Sequence, residues 1–381
     1  MADVRDYLKW RGDLSFCQDP LNSVDALIFC ALSYIHFDEL AVDGITLEEA
    51  AEQFSGVEST EGRIRSRVDP ELLDLAGKSR RFGTAKLFHY RSRLVREEDT
   101  QFAAVTFVTE DGDAFLAFRG TDSTITGWKE DFNMSFQQTV PCQRLALDYT
   151  REVALLHDGP IRLGGHSKGG NMAVFAAARS SPMIQQQILA VYNNDGPGFS
   201  DYMMGDPGYL AMVPKIHTFV PQSSIIGMLM DHEEPYTIIR SKQMGLLQHD
   251  IYNWEIQGPA FIPMEEITTD SRFLNLTIRN WAASLSNQER NQNVDAFFGV
   301  LESGEDSTDA IFHPRSIMGY LKTLGTDEET RKLLTGEFQN IIEIARKTGA
   351  QFLEEREKTE KQQKLESGKR RRLEDSLFRK K

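Results

Sequence analysis

The apolar positions along the chain change rhythm twice. Up to about residue 84 they recur at helical spacing. Asn22, with Asp25 three positions on, predicts a capped helix start ahead of the apolar run 24–35. Further helical pieces are predicted near 46–54 and 70–75. From about residue 85 the pattern is that of strands, at 85–90, 102–109 and 114–118. The last two flank Glu110-Asp111-Gly112-Asp113, and Asp-Gly between apolar runs predicts a hairpin. Strands then alternate with helices: helix 143–157, strand 161–163, helix 168–179, and strands 188–192, 216–220 and 236–240. Such alternation predicts a largely parallel sheet with helices on both faces, an α/β fold. Beyond about 265 the helical period returns, at 271–285, 291–301, 316–324 and 327–347. The organisation expected is a helical N-terminal extension (1–84) packed on a core (85–265). A helical C-terminal region (266–352) and a charged, frayed or disordered tail (353–381) follow.

Composition sharpens this outline. Among 381 residues, 4 Trp, 10 Tyr and 23 Phe are enough to fill a sizeable core, which argues against general disorder. The 43 Lys/Arg against 57 Asp/Glu leave a formal net charge of −14, and that balance argues against broad nucleic-acid binding. The average conceals a break: residues 354–381 carry about +4 and the preceding body about −18. The run Lys369-Arg370-Arg371-Arg372 reads as part of a solvated tail. Cys17, Cys30 and Cys142 are too few and too widely spaced for a disulfide framework or a zinc site, and they fit a reducing compartment. The start is polar and mixed in charge. The best apolar stretch, 24–35, is too short to span a bilayer, so a cytoplasmic location is expected.

The sharpest chemical feature is Gly165-His166-Ser167-Lys168-Gly169, a G-x-S-x-G pattern between an apolar strand and an Ala-rich helix. A nucleophilic serine needs such a strand-to-helix turn. The turn exposes the hydroxyl, and the helix N-terminus faces the developing oxyanion. A second feature is Phe118-Arg119-Gly120-Thr121 at the end of a strand, followed by Trp128-Lys129-Glu130-Asp131. No metal-binding, Walker or dinucleotide motif is present, so no cofactor is expected.

Together, F-R-G-T, W-x-x-D and G-H-S-x-G-G in this order resemble the lipase class 3 branch of the α/β-hydrolase superfamily. More narrowly, the chain resembles a bacterial group of lipase-like proteins called Mbeg-like. That likeness rests on Leu8-Lys9-Trp10-Arg11-Gly12-Asp13, on Asn22 to Leu27, on the G-H-S-K-G-G-N turn and on Asn194-Asp195-Gly196-Pro197-Gly198-Phe199. The resemblance implies Ser167 as nucleophile, with Thr121 and the backbone N–H of Lys168 as the oxyanion hole.

A serine hydrolase also needs a histidine and an acid, in the superfamily's chain order Ser, acid, His. His217, His232, His249 and His313 follow Ser167. His217 lies inside a strand pattern, and His313 precedes Pro314. His249, in a polar segment after the last clear strand, is the candidate, with His232 the alternative. For the acid, the resemblance points to the stretch after strand 216–220, but Ser224 stands where aspartate is expected. Asp195, directly after strand 188–192, is the substitute, an arrangement that resembles pancreatic-type lipases. Asp231 is the alternative. The activity expected is hydrolysis of carboxylic, acyl or lipid esters. The competing expectations are a catalytically silent hydrolase fold that senses lipid or binds protein, and an acyltransferase using the same serine.

Overall fold

The computed structural model describes residues 2–284, apart from 39, 41–42, 58, 61, 123–124 and 135–136, together with residues 340 and 343–350. The predicted helices at 291–301 and 316–324, most of 327–347 and the charged tail lie outside the described residues. Among the described residues, no helix is long and apolar enough to cross a membrane.

Four helices open the chain: α1 (Val4–Arg11), α2 (Ser23–Leu32), α3 (Leu47–Ser55) and α4 (Asp69–Lys78). Local chemistry sets their starts. The Asn22 side chain accepts from the N–H groups of Val24 (2.9 Å) and Asp25 (3.2 Å), and Asp25 accepts in return from Asn22 N–H (2.9 Å). This reciprocal cap satisfies donors that the first turn cannot use internally. Thr46 and Glu49 cap α3 in the same way.

The sheet follows: β1 (Lys86–Val95), β2 (Thr100–Val108), β3 (Ala114–Phe118), helices α5 (Ile125–Asn133) and α6 (Pro141–Leu156), then β4 (Ile161–His166). Next come α7 (Lys168–Arg179), α8 (Pro182–Gln187), β5 (Ile188–Asn194), α9 (Pro207–Met212), β6 (Ile216–Pro221) and β7 (Tyr236–Ile239). A short pair, β8 (Ile256–Gln257) and β9 (Ala260–Phe261), and helix α10 (Thr269–Ser284) complete the described elements. The seven main strands lie in sequence order. β1–β2–β3 are antiparallel, and β3 to β7 are all parallel. This is the mostly parallel sheet of an α/β fold that the alternation predicts. Short helices α8 and α9 escape the periodicity reading because six residues hold less than two turns of pattern. β1 runs past its predicted end because a bulge between Phe88 and Arg91 breaks the alternation but not the pairing.

Alternate strand residues feed two cores. On one face Val105, Phe107, Phe115, Ala117 and Tyr192 meet the N-terminal helices; on the other Ala104, Leu116, Phe118 and Leu163 meet α6 and α7. α2 is buried along Val24–Leu32, with the Phe29 ring stacked 5.1 Å from Phe115 and tilted against Phe107 at 4.9 Å. Each large apolar side chain it buries contributes roughly 1.5–3 kcal/mol. The N-terminal helices therefore pack over one face of the sheet, where Ile251, Trp254 and Phe261 join the same core. They are joined by a buried ion pair: Arg81 donates to Asp25 through Nε (2.7 Å) and Nη2 (2.5 Å). Tyr7 of α1 donates to the same carboxylate at 2.9 Å.

Candidate active site

β4 ends at His166 and α7 begins at Lys168, so Ser167 alone makes the turn. Its φ of +59° and ψ of −133° lie where few non-glycine residues go. Holding it there costs on the order of 1–3 kcal/mol. Two hydrogen bonds anchor the turn: Ser167 N–H to Asn194 O (3.0 Å) and Gly170 N–H to Ser167 O (2.9 Å). Packing explains the flanking glycines. A Cβ on Gly165 would lie 2.1 Å from the carbonyl carbon of Gly169, and one on Gly169 would lie 2.1 Å from Phe118 O. Ser167 keeps 8% of its surface exposed.

Asp195 sits one residue past β5, also at positive φ (+54°), with its N–H bound to Phe219 O of β6 at 2.8 Å. Its carboxylate is buried and points at three donors. Oδ2 accepts from His249 Nδ1 at 2.7 Å; Oδ1 accepts from Ser224 Oγ at 2.5 Å and from Gly227 N–H at 3.2 Å. Ser224, the residue that departs from the lipase pattern, thus hydrogen-bonds the carboxylate one strand away. That pairing is a tertiary contact between two loops, and the sequence carries only the departure itself.

His249 closes a short 3₁₀ turn, Gly245–His249. His166 Nε2 donates to the His249 carbonyl at 2.7 Å, and the two imidazoles lie 4.4 Å apart. With Nε2 carrying the hydrogen, His166 Nδ1 accepts from Tyr34 Oη at 2.9 Å. Burial, reinforced by His249 and Arg65 nearby, holds the His166 imidazole well below its usual range, so it stays neutral. Trp254 Nε1 adds a bond to Gln248 O (2.8 Å). Tyr34 does not stand out in sequence, and His166 does so only by its place in the serine turn, because the partners of both are remote in the chain.

Thr121 lies three residues past β3 and is largely buried. Its hydroxyl donates to Asp131 Oδ2 at 2.5 Å. Burial pushes the Asp131 carboxyl up to about 6, against the pull of Lys168 and the Thr121 hydroxyl. The N–H of Lys168 belongs to the first turn of α7, where no intrahelical acceptor exists. The Lys168 side chain is buried and reaches Glu130 Oε2 (3.0 Å), Gln101 Oε1 (2.6 Å) and Gln101 O (3.1 Å), with Asp131 Oδ1 at 3.8 Å. Burial opposes its charge, but Glu130 and Asp131 raise its pKa and keep the ammonium. The W-x-x-D signal marks Asp131 in sequence; its bond to Thr121 required the fold.

The other candidates are engaged elsewhere. His232 faces Glu234 through Nδ1 (3.2 Å) and Gly227 O through Nε2 (2.9 Å). Asp231 pairs with Arg279 at 3.0 Å. Asp250, beside His249, pairs with Arg65 at 3.2 Å. His217 is an exposed residue of β6 whose ring stacks on Tyr192. His313 lies outside the described residues. Among the described residues no cluster of His, Cys, Asp and Glu could hold a metal ion.

A family model described as Mbeg1-like matches residues 76–299, more than half of the chain. The chain belongs to the Mbeg1-like family. The match spans the strained serine turn, Asp195 and His249. A search of the curated proteins finds no match. Among solved structures this Mbeg1-like chain is similar to M37 lipase, at 12% identity over 53% of this chain and 67% of the other, with a TM-score of 0.34. It is also similar to a mutant of MDLA from Penicillium cyclopium (15% identity, 57% and 78% covered, TM-score 0.36). Rhizomucor miehei lipase in a propeptide complex is a third (13% identity, 56% and 67% covered, TM-score 0.32).

Proposed function

We propose that the chain is a serine hydrolase acting on carboxylic esters, acyl or lipid esters among them, with Ser167 as nucleophile, His249 as base and Asp195 as acid. The observation that carries this reading is the 2.7 Å contact between His249 Nδ1 and the buried Asp195 carboxylate, on the strand next to the strained Ser167 turn. With Nδ1–H committed to Asp195, Nε2 is the ring nitrogen left to accept a proton.

In this mechanism Ser167 Oγ attacks the acyl carbon as its proton passes to His249 Nε2. The tetrahedral oxyanion is received by the backbone N–H groups of Thr121 and Lys168. Thr121 offers its N–H rather than its hydroxyl, since the hydroxyl donates to Asp131. His249 then returns the proton to the leaving alkoxide, and water, deprotonated by the same nitrogen, releases the acid and restores Ser167. A reducing compartment such as the cytoplasm fits the unpaired Cys17, Cys30 and Cys142.

Labelling with a fluorophosphonate probe tests the reading. The wild-type protein should react, and Ser167→Ala and His249→Ala should not. A folded wild-type protein that stays unlabelled, or labelling that persists in Ser167→Ala, would overturn it.

A further inference from the structure

A second histidine–carboxylate unit lies on the far side of Asp195 from His249. Glu234 is fully buried and receives hydroxyls from Thr218 Oγ1 (2.5 Å to Oε1) and Tyr209 (2.6 Å to Oε2). His232, 6% exposed at its side chain, lies between this carboxylate and the carbonyl of Gly227. Both neighbours of the ring are acceptors. The Gly227 carbonyl can only accept, so Nε2 carries a hydrogen and donates to it, while Nδ1 faces the carboxyl group. Against burial, the His232 contact and the two hydroxyl donors hold the Glu234 carboxyl below its usual range.

What this unit grips is Gly227. Its carbonyl is held by His232 Nε2, while its N–H points to Asp195 Oδ1 (3.2 Å) and to Ser224 Oγ (3.1 Å). A Cβ on Gly227 would lie 2.3 Å from Asp195 Oδ1 and 2.8 Å from Val220, so the residue is wedged against the acid. The chain around it is pinned from the opposite side. Gly198 N–H donates to Leu229 O (2.9 Å), and Phe199 and Asp231 exchange backbone bonds (2.7 and 3.1 Å). The other groups facing the ring are the Tyr236 ring, 6.5 Å away, and the two hydroxyls on Glu234; Asp231 is turned to Arg279.

We propose that His232, aligned by Glu234, is a positioning residue for Asp195: by clamping Gly227 it sets the direction of the carboxylate that orients His249. The proposal rests on the triad assigned above. It places His232 outside the proton-transfer chain.

The first test needs no variant. ¹⁵N spectra of the wild-type imidazoles should show a hydrogen on His232 Nε2, bound to the Gly227 carbonyl; a ring with Nε2 bare would overturn the proposal. The second test uses His232→Phe/Glu234→Gln, which removes the ring and the carboxylate together and so leaves no buried carboxylate without its partner. With p-nitrophenyl butyrate, kcat should fall roughly 10- to 100-fold, the scale of an ~1 Å misplacement, with KM nearly unchanged. The His249 Nδ1 proton signal should shift or broaden. Glu234→Gln alone lets a neutral His232 keep Nε2–H on Gly227 and accept at Nδ1 from the amide, so most of the activity should survive. Unchanged kcat and an unmoved His249 proton in the double variant would sink the idea. If the wild type fails with probe and ester alike, the hydrolase reading falls, yet the His249 signal still reports whether His232 holds the acid.

Discussion

At the scale of single residues, the site depends on how one buried carboxylate is supplied with donors. Asp195 meets His249, Ser224 and Gly227. Replacing Asp195 by Asn offers His249 an amide that can force the wrong tautomer, and ester turnover should drop on the order of 10⁴-fold with the fold intact. Ser224→Ala removes one donor to Oδ1 and should cost about tenfold in kcat/KM, or about 1.4 kcal/mol; wild-type turnover would deny Ser224 a part in orienting the acid. Asp131 gives a pH prediction. Its carboxyl keeps its proton up to about 6 in the native state against 3.8 for the free side chain, chiefly through burial. The native state therefore binds the proton more tightly than the unfolded one. This contribution to stability is fully present below about pH 4 and is lost as pH rises through about 6. Urea unfolding of wild type and Asp131→Asn across that window should show the difference in slope, amounting to at most about 3 kcal/mol.

At the scale of elements, two junctions do most of the positioning. The turn from β4 to α7 brings Gly165 and Gly169 so close to backbone that no side chain fits. Gly169→Ala should push α7 away from β3 and abolish probe labelling even where far-ultraviolet circular dichroism still shows folded structure. The second junction ties α1 and α2 to the chain after α4 through Asp25 and Arg81, both fully buried. Burial pushes the Asp25 carboxyl up while Arg81 pulls it down, and the pair survives because Tyr7 and the Asn22 N–H complete its donors. Asp25→Ala strands the Arg81 guanidinium in the core and should lower stability by about 3–5 kcal/mol, read as a fall in the midpoint of chemical unfolding.

At the scale of the whole molecule, the layer formed by α1 to α4 covers one face of the sheet, and Tyr34 at its end reaches His166 behind the site. What the sequence by itself determined was whatever is written in neighbouring residues. Asn22 and Asp25 announce the α2 cap, Asp111-Gly112 the hairpin, the alternation of strands and helices the parallel sheet, and Gly165 to Gly169 the serine turn. In each case local backbone sterics and hydrogen bonding over a few residues suffice. Chain order narrowed the candidate acids and bases, and the place of each after a strand or in a polar segment favoured Asp195 over Asp231 and His249 over His232, but nothing local shows which side chains meet. Only the tertiary structure decided which side chains meet. It set Asp195 against His249, turned Asp231 to Arg279, placed Ser224 as a donor to the acid and committed both nitrogens of His232 to Glu234 and Gly227. The physical reason is that the contacts of Asp195 and Asp231 join segments 29 to 54 residues apart. Their geometry follows from how the strands stack and how the layers close, a property of the packed chain that no short window of sequence contains.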